Sequence, residues 1–156
     1  MIISSKCIGI NFDILNYGKQ HLGVNIMNNT AANQSCPFCI IDQNRILLQN
    51  SFAISISDAF PVSIGHSLVI PRRHISSIFD ASEDELVHIF KLVAETRVLL
   101  NDLYQPQGLN VGINDGVAAG QTVMHLHIHL IPRYNGDQND PRGGVRWIFP
   151  DKAKYW

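Results

Sequence analysis

The stretch Gly120–Arg133, GQTVMHLHIHLIPR, decides how this chain folds. Its centre alternates His125, Leu126, His127, Ile128, His129 and Leu130. Successive side chains on a β-strand point to opposite faces, so the three imidazoles share one face and the aliphatic side chains the other. This predicts a strand over 123–131, stopped by Pro132, with its apolar side on a core. The chain has 7 histidines in 156 residues, so three on one side of a mostly apolar segment are more than a solvated face requires.

The apolar side needs something to pack on. Residues 82–104 predict a helix. Ser82 is placed as N-cap with Glu85 at N3, a capping box, and Glu83, Asp84 and Glu85 favour the positive helix start. Leu86, Ile89, Phe90, Val93, Val98 and Leu100 form an apolar stripe at near-helical spacing, and Pro106 and Gly108 end it. Upstream, FAISIS (52–57) alternates as a half-buried strand does. HSLVI (66–70) predicts a second strand, ended by Pro71. Asp58, Pro61 and Gly65 supply turn chemistry between the two. LNVGIN (109–114) is a further strand, broken at Asp115–Gly116. Residues 134–144 form a loop, and the aromatic end RWIFPDKAKYW packs back on the domain. Strands, one long helix, then strands make an α+β class with antiparallel pairing.

Composition narrows the function classes. A length of 156 residues predicts one domain. With 46% hydrophobic and 16% charged residues, the chain as a whole is expected to fold rather than to be disordered. Its 12 basic and 13 acidic residues leave no basic footprint for nucleic acid, although Arg72 and Arg73 are adjacent. No apolar run reaches the roughly 18–20 residues of a membrane span, and the N-terminus lacks the pattern of a signal peptide. A soluble, cytoplasmic protein without membrane or nucleic-acid partners is expected. Residues 1–35, rich in Asn and Gly, are expected to form a lead-in, with the domain proper over 36–156. Three cysteines, Cys7, Cys36 and Cys39, do not make a secreted disulfide scaffold.

The histidine face carries the chemistry. Same-face positions on a strand lie roughly 6.6–7 Å apart, so three collinear imidazoles fit one tetrahedral ion poorly. A division of roles suits them better, with a nucleophile in the middle. Gly116 and Gly120 are expected to bring backbone close to a ligand, with N–H groups suited to phosphate oxygens. Gln121, Thr122 and Asn114 add neutral donors near by. There is no carboxylate cluster for a two-metal phosphatase. Cys36-Pro37-Phe38-Cys39 is open to three readings: a redox pair, two small buried thiols, or half of a zinc site.

GQTVMHLHIHL resembles the histidine triad motif, His-φ-His-φ-His-φ-φ with φ apolar. FPVSIGHSLVIPRRH resembles the strand–turn–strand that lines that family's nucleoside pocket. The resemblance covers about 36–133, and the tail RGGVRWIFPDKAKYW is similar to the ends of bacterial members. It implies a five-stranded antiparallel sheet with one long and one short helix, usually as a homodimer. It further implies a nucleotide hydrolase acting at an α-phosphate of a nucleoside phosphoramidate or dinucleoside polyphosphate. The product would be a nucleoside monophosphate. Transfer of the nucleotide to a phosphate acceptor, and nucleotide binding with little turnover, are the alternatives. His127 would be the nucleophile, and His129 would hold a phosphate oxygen or the leaving group. Asn114, Gly120, Gln121 and Thr122 would contact phosphate. Asp58 would meet the ribose, and His66 would stand behind the active strand. Cys36, Cys39, His74 and His125 would hold a structural zinc. The tautomer of His127 stays open at this level.

Overall fold

The computed structural model describes residues 36–156. A single turn at 43–45 leads into β1, Ile46–Gln49. There follow β2 (Ala53–Ser57), β3 (Ser67–Pro71), α1 (Glu83–Tyr104), β4 (Gly108–Gly112), β5 (Ile128–Arg133) and α2 (Pro150–Ala153). The five strands form one antiparallel sheet in the order β1-β2-β3-β5-β4. The α+β expectation therefore holds, as do one long helix and one short one. The expected lead-in over 1–35, with Cys7 and His21, lies outside the described residues.

β3 is central and all five of its residues are buried. Register explains the layering. Leu68 lies opposite both Ile56 and His129, and Ile70 opposite Ile54, so these residues share one face. Val69 lies opposite Ile128 on the other face. That other face packs on α1, in a core of Ala53, Val69, Ile89, Leu92, Leu100, Leu126, Ile128 and Leu130. A second, smaller cluster of Ile56, Leu68 and Ile70 forms on the histidine face, covered by Phe38, Ile41, Ile46 and Ile54. Each fully buried Ile or Leu contributes roughly 1.5–3 kcal/mol by leaving water.

Four expectations need correction. The ladder of β5 begins at Ile128, so His125 and His127 lie on an extended approach to the strand. One backbone bond ties that approach down, Leu126 N–H to the Ile75 carbonyl at 2.6 Å. Pro132 does not stop β5, which runs on to Arg133 against β4. Pairing with β3 has already ended at Leu130, so on that side the missing N–H forfeits no ladder bond. Pro71 is likewise the last residue of β3 rather than its stop, opposite Ala53. Finally, the helix stripe is rotated: Phe90 and Val98 are exposed, and Leu92 and Thr96 are buried instead. Thr96 is tolerated inside because its hydroxyl donates to the Leu92 carbonyl at 2.7 Å. α1 does end just before Pro106 and Gly108. Gln105 takes the left-handed conformation, with φ 50°, and donates to the Asn101 carbonyl.

Gly65 shows how tightly the β2–β3 turn sits. At φ 82°, a Cβ there would stand 2.7 Å from the ring of Tyr104. At the other end of α1, the capping box is present and extended. Ser82 N–H donates to Glu85 Oε2 at 2.8 Å, and Glu85 N–H donates to Ser82 Oγ at 3.3 Å. Arg73 then forks onto both oxygens of Glu85 at 2.8 and 2.7 Å. The Arg73 bonds, helped by those of Ser82, hold the Glu85 carboxyl down at about 2.

Glu85→Ala is therefore expected to lower stability by about 1–2 kcal/mol at neutral pH. The unfolded chain protonates Glu85 near 4.5 and the native state only near about 2. The contribution is thus complete above the first value and is lost as pH falls through the second. Urea melts of wild type and variant should converge in acid; a gap that persists there would refute this account.

Candidate functional site

The three triad rings have three different surroundings. His125 is fully buried, His127 is 7% exposed and His129 is half-buried. The imidazole of His127 meets the edge of His129 at 5.1 Å between ring centroids. Phe38 sits edge-on to both His125 and His127, at 6.1 and 5.2 Å. The face expected to look onto something polar is therefore partly covered by the Cys36–Cys39 turn.

Hydrogen bonds assign the tautomers, because a carbonyl can only accept. His127 Nδ1 lies 2.8 Å from the His125 carbonyl, so Nδ1 carries a proton, and in the neutral ring Nε2 is the bare nitrogen. His125 Nε2 lies 2.9 Å from the Pro71 carbonyl, so its Nδ1 is bare. His66 Nδ1 accepts from the Val62 N–H at 3.3 Å, which puts the His66 proton on Nε2. That proton points at His129 Nδ1, 3.0 Å away, and leaves His129 with an Nε2–H. Burial pushes His66, His125 and His129 below the ordinary imidazole value, so the neutral forms of these assignments are the stable ones near neutrality. Asp58 Oδ2 stands 3.6 Å from His66 Nε2 and opposes that shift. Its Oδ1 accepts the Phe60 N–H at 2.7 Å.

The glycine loop behaves differently from expectation. Gly116 and Gly120 do take positive φ, 89° and 87°, on either side of the turn 117–119. Their N–H groups, however, are used within the loop. Gly116 donates to Gln121 Oε1 at 2.8 Å and Gly120 to the Val117 carbonyl at 3.0 Å. Gln121 is 5% exposed, and its Nε2 donates to the Ser76 and Val123 carbonyls. Its amide thus braces the loop against the segment after β3. Thr122 is exposed and Asn114 half-buried near by.

Cys36, Cys39, His74 and His125 come together from three parts of the chain, with ligand atoms within 4.8 Å of one another. His125 Nδ1, the bare nitrogen, lies 3.5 Å from Cys36 Sγ and 3.6 Å from Cys39 Sγ. His74 Nδ1 lies 3.2 Å from Cys39 Sγ. Tetrahedral zinc, with Zn–S of about 2.3 Å and Zn–N of about 2.0–2.1 Å, sets S···N separations of roughly 3.5 Å. The donor set fits that cation. Burial pushes the Cys39 thiol up to about 11, with Cys36 adding to the shift; a cation acts in the opposite sense, since it binds the thiolate.

Sequence reasoning grouped Cys36, Cys39, His74 and His125, which the structure brings together, but gave Phe38 no role. Ile41 was missed as well. Both follow from position: they sit on the turn that covers the histidine face.

Residues 41–136 match the HIT domain family model. The chain is similar to a hypothetical histidine triad nucleotide-binding protein from Sulfolobus tokodaii: TM-score 0.62, 36% identity, covering 65% of this chain and 71% of that one. A Zn-bound histidine triad family protein from Mycobacterium smegmatis aligns with TM-score 0.63 and 31% identity, over 69% of this chain and 81% of that one. An asymmetrical bis(5'-nucleosyl)-tetraphosphatase of Schizosaccharomyces pombe is 33% identical over 99 residues, 62% of this chain and 54% of that one.

The tautomer assignment is directly measurable. Long-range ¹⁵N–¹H correlation in mildly alkaline buffer should find His127 protonated on Nδ1 and His129 on Nε2. A His127 protonated on Nε2 would overturn the reading of this site.

Proposed function

The chain belongs to the HIT domain family, and on that premise we propose that it hydrolyses a nucleotide at its α-phosphate through an intermediate on His127. One observation carries this reading: the bare Nε2 of His127, fixed by the Nδ1–H bond to the His125 carbonyl, with the Nε2–H of His129 beside it. The lone pair on Nε2 attacks the α-phosphorus. The phosphorus–leaving-group bond breaks, and its electron pair departs with the leaving group. His129 Nε2–H keeps its proton and donates a hydrogen bond to the oxygen that gains charge. The phosphorylated His127 ring becomes cationic, and its Nδ1–H bond to the His125 carbonyl becomes charge-assisted. Water then adds to phosphorus, the P–N electron pair returns to Nε2, and the water's proton leaves with product or solvent.

The remaining residues serve that step. His66 holds His129 in its donor tautomer, and Asp58 stands ready for ribose hydroxyls. Gln121 acts through the loop, keeping Thr122, Asn114 and Gly120 beside the phosphate. Phe38 and Ile41 offer an apolar side to the nucleoside. Cys36, Cys39, His74 and His125 are the residues that would hold zinc, which supplies a closed structural cross-link. We take the homodimer as the functional unit, since among the described residues β4 is an open sheet edge and Val87, Phe90 and Val98 on α1 are exposed at 61, 49 and 55%.

Mixing the protein briefly with diadenosine tetraphosphate or adenosine 5′-phosphoramidate should give an adduct one AMP heavier. His127→Ala should give none and lose about 10⁴-fold in kcat/KM. Turnover that survives in the variant would end the His127 mechanism, and addition of inorganic phosphate tells transfer from hydrolysis by the product. Native mass spectrometry should find two chains with two zinc ions, and Cys39→Ser chains without zinc. A zinc-free wild-type protein purified without chelator would remove the metal from this account.

A further inference from the structure

Asp58, His66 and His129 converge where β2, β3 and β5 lie side by side, with one ligand atom from each within 4.8 Å of the others. The backbone holds them there. Asp58 N–H donates to the His66 carbonyl at 3.0 Å, one step past Ser57 and Ser67, the end pair of the β2–β3 ladder. His129 lies opposite Leu68, which shares a face with His66. All three side chains thus stand on a hydrogen-bonded strand or one residue from its end.

The cluster has one proton for two acceptors. The His66 Nε2–H faces His129 Nδ1 at 3.0 Å and Asp58 Oδ2 at 3.6 Å. The second distance is too long for a hydrogen bond, so the proton serves His129 and not the carboxylate. A divalent ion in place of that proton would meet all three atoms. Tetrahedral zinc, with Zn–N of about 2.0–2.1 Å and Zn–O of about 2.0–2.2 Å, sets donor separations of roughly 3.4 Å. The observed 3.0 and 3.6 Å bracket that value. Imidazole with carboxylate suits zinc and its neighbours among the transition metals. Both rings are neutral near neutrality, since burial lowers their values, and so are ready donors. Three protein donors leave a fourth position open, unlike the closed set of Cys36, Cys39, His74 and His125.

We propose that Asp58, His66 and His129 form a second, open site for a divalent transition metal, and that filling it shuts the nucleotide out. Protons balance by a change of tautomer. The His66 proton moves from Nε2 to Nδ1, so the Nε2 lone pair binds the ion and no proton is released. The Val62 N–H, which donates to His66 Nδ1 at 3.3 Å, then faces another donor, and the β2–β3 turn must shift. The ion also takes the Nδ1 lone pair of His129 and the carboxylate that stood ready for the ribose. The blocking half rests on the nucleotide reading above; the metal site does not.

Dialysis against added zinc should load one more ion per chain on wild type than on Asp58→Asn or His66→Asn. Each substitution should weaken that ion about tenfold or more. His88→Asn, on α1 across the sheet, should match wild type. In ¹H–¹⁵N spectra the Val62 amide should move as the extra ion binds. Wild type binding no more zinc than the two cluster variants overturns the site, and so does loss of the extra ion in His88→Asn or a Val62 amide that stays still. If His66→Asn misfolds, as its melt would show, Asp58→Asn decides alone. Saturating AMP should expel the extra ion, and AMP and ion held together overturn the blocking. If AMP binds neither with zinc nor without it, the nucleotide reading has failed, and the zinc count still decides the site.

Discussion

His125 is the residue on which the site depends, because it is held at both ring nitrogens and again at its carbonyl. Its Nε2–H goes to the end of β3, its Nδ1 faces both cysteines, and its carbonyl accepts a hydrogen bond from His127 Nδ1–H. Each bond fixes the next. With Nε2 committed to Pro71, only Nδ1 can face the sulfurs. With the ring so fixed and fully buried, the carbonyl has little freedom to turn away from His127. A cation at the cysteines would therefore act on His127 through geometry rather than through its charge alone, as partners beyond the direct ligands commonly do.

The sheet supplies the rest of the precision. β3, buried on both faces, sets the register of β5, and register decides which side each histidine takes. A slip of one residue would send Leu130 to the site and His129 into the core against α1. That core of aliphatic side chains makes such a slip costly, so packing on one face enforces chemistry on the other.

Much of this was legible because two signals are strictly local. HLHIHL declares a period of two, and Ser82 with Glu85 declares a helix start, and both need only neighbouring residues. What was missed is non-local. β1 lacks alternation in Ile46–Gln49 and exists only because β2 offers it an edge, with an irregular register at that. Phe90 and Val98 fit helical spacing as well as Leu92 does, and only the position of the sheet tells which line of the helix is covered. Gln121 looked like a phosphate donor because its type suits that task. Its three bonds to backbone appear only once Ser76 and Gly116 are brought beside it. Phe38 was hidden by the cysteines around it.

The Arg73 fork onto Glu85 has a consequence for how the molecule opens. Arg73 precedes His74, one of the four residues of the cysteine–histidine cluster, and Glu85 closes the first turn of α1. The same guanidinium also donates to the Asp80 carbonyl, which ties the intervening loop to both. Fraying of that first turn cannot leave the His74 segment undisturbed, and movement of that segment pulls on the turn. The helix start, the loop and the cluster thus form one cooperative unit in the sense of native-state exchange. Their amides would exchange with solvent together, as a block, rather than in order of their depth.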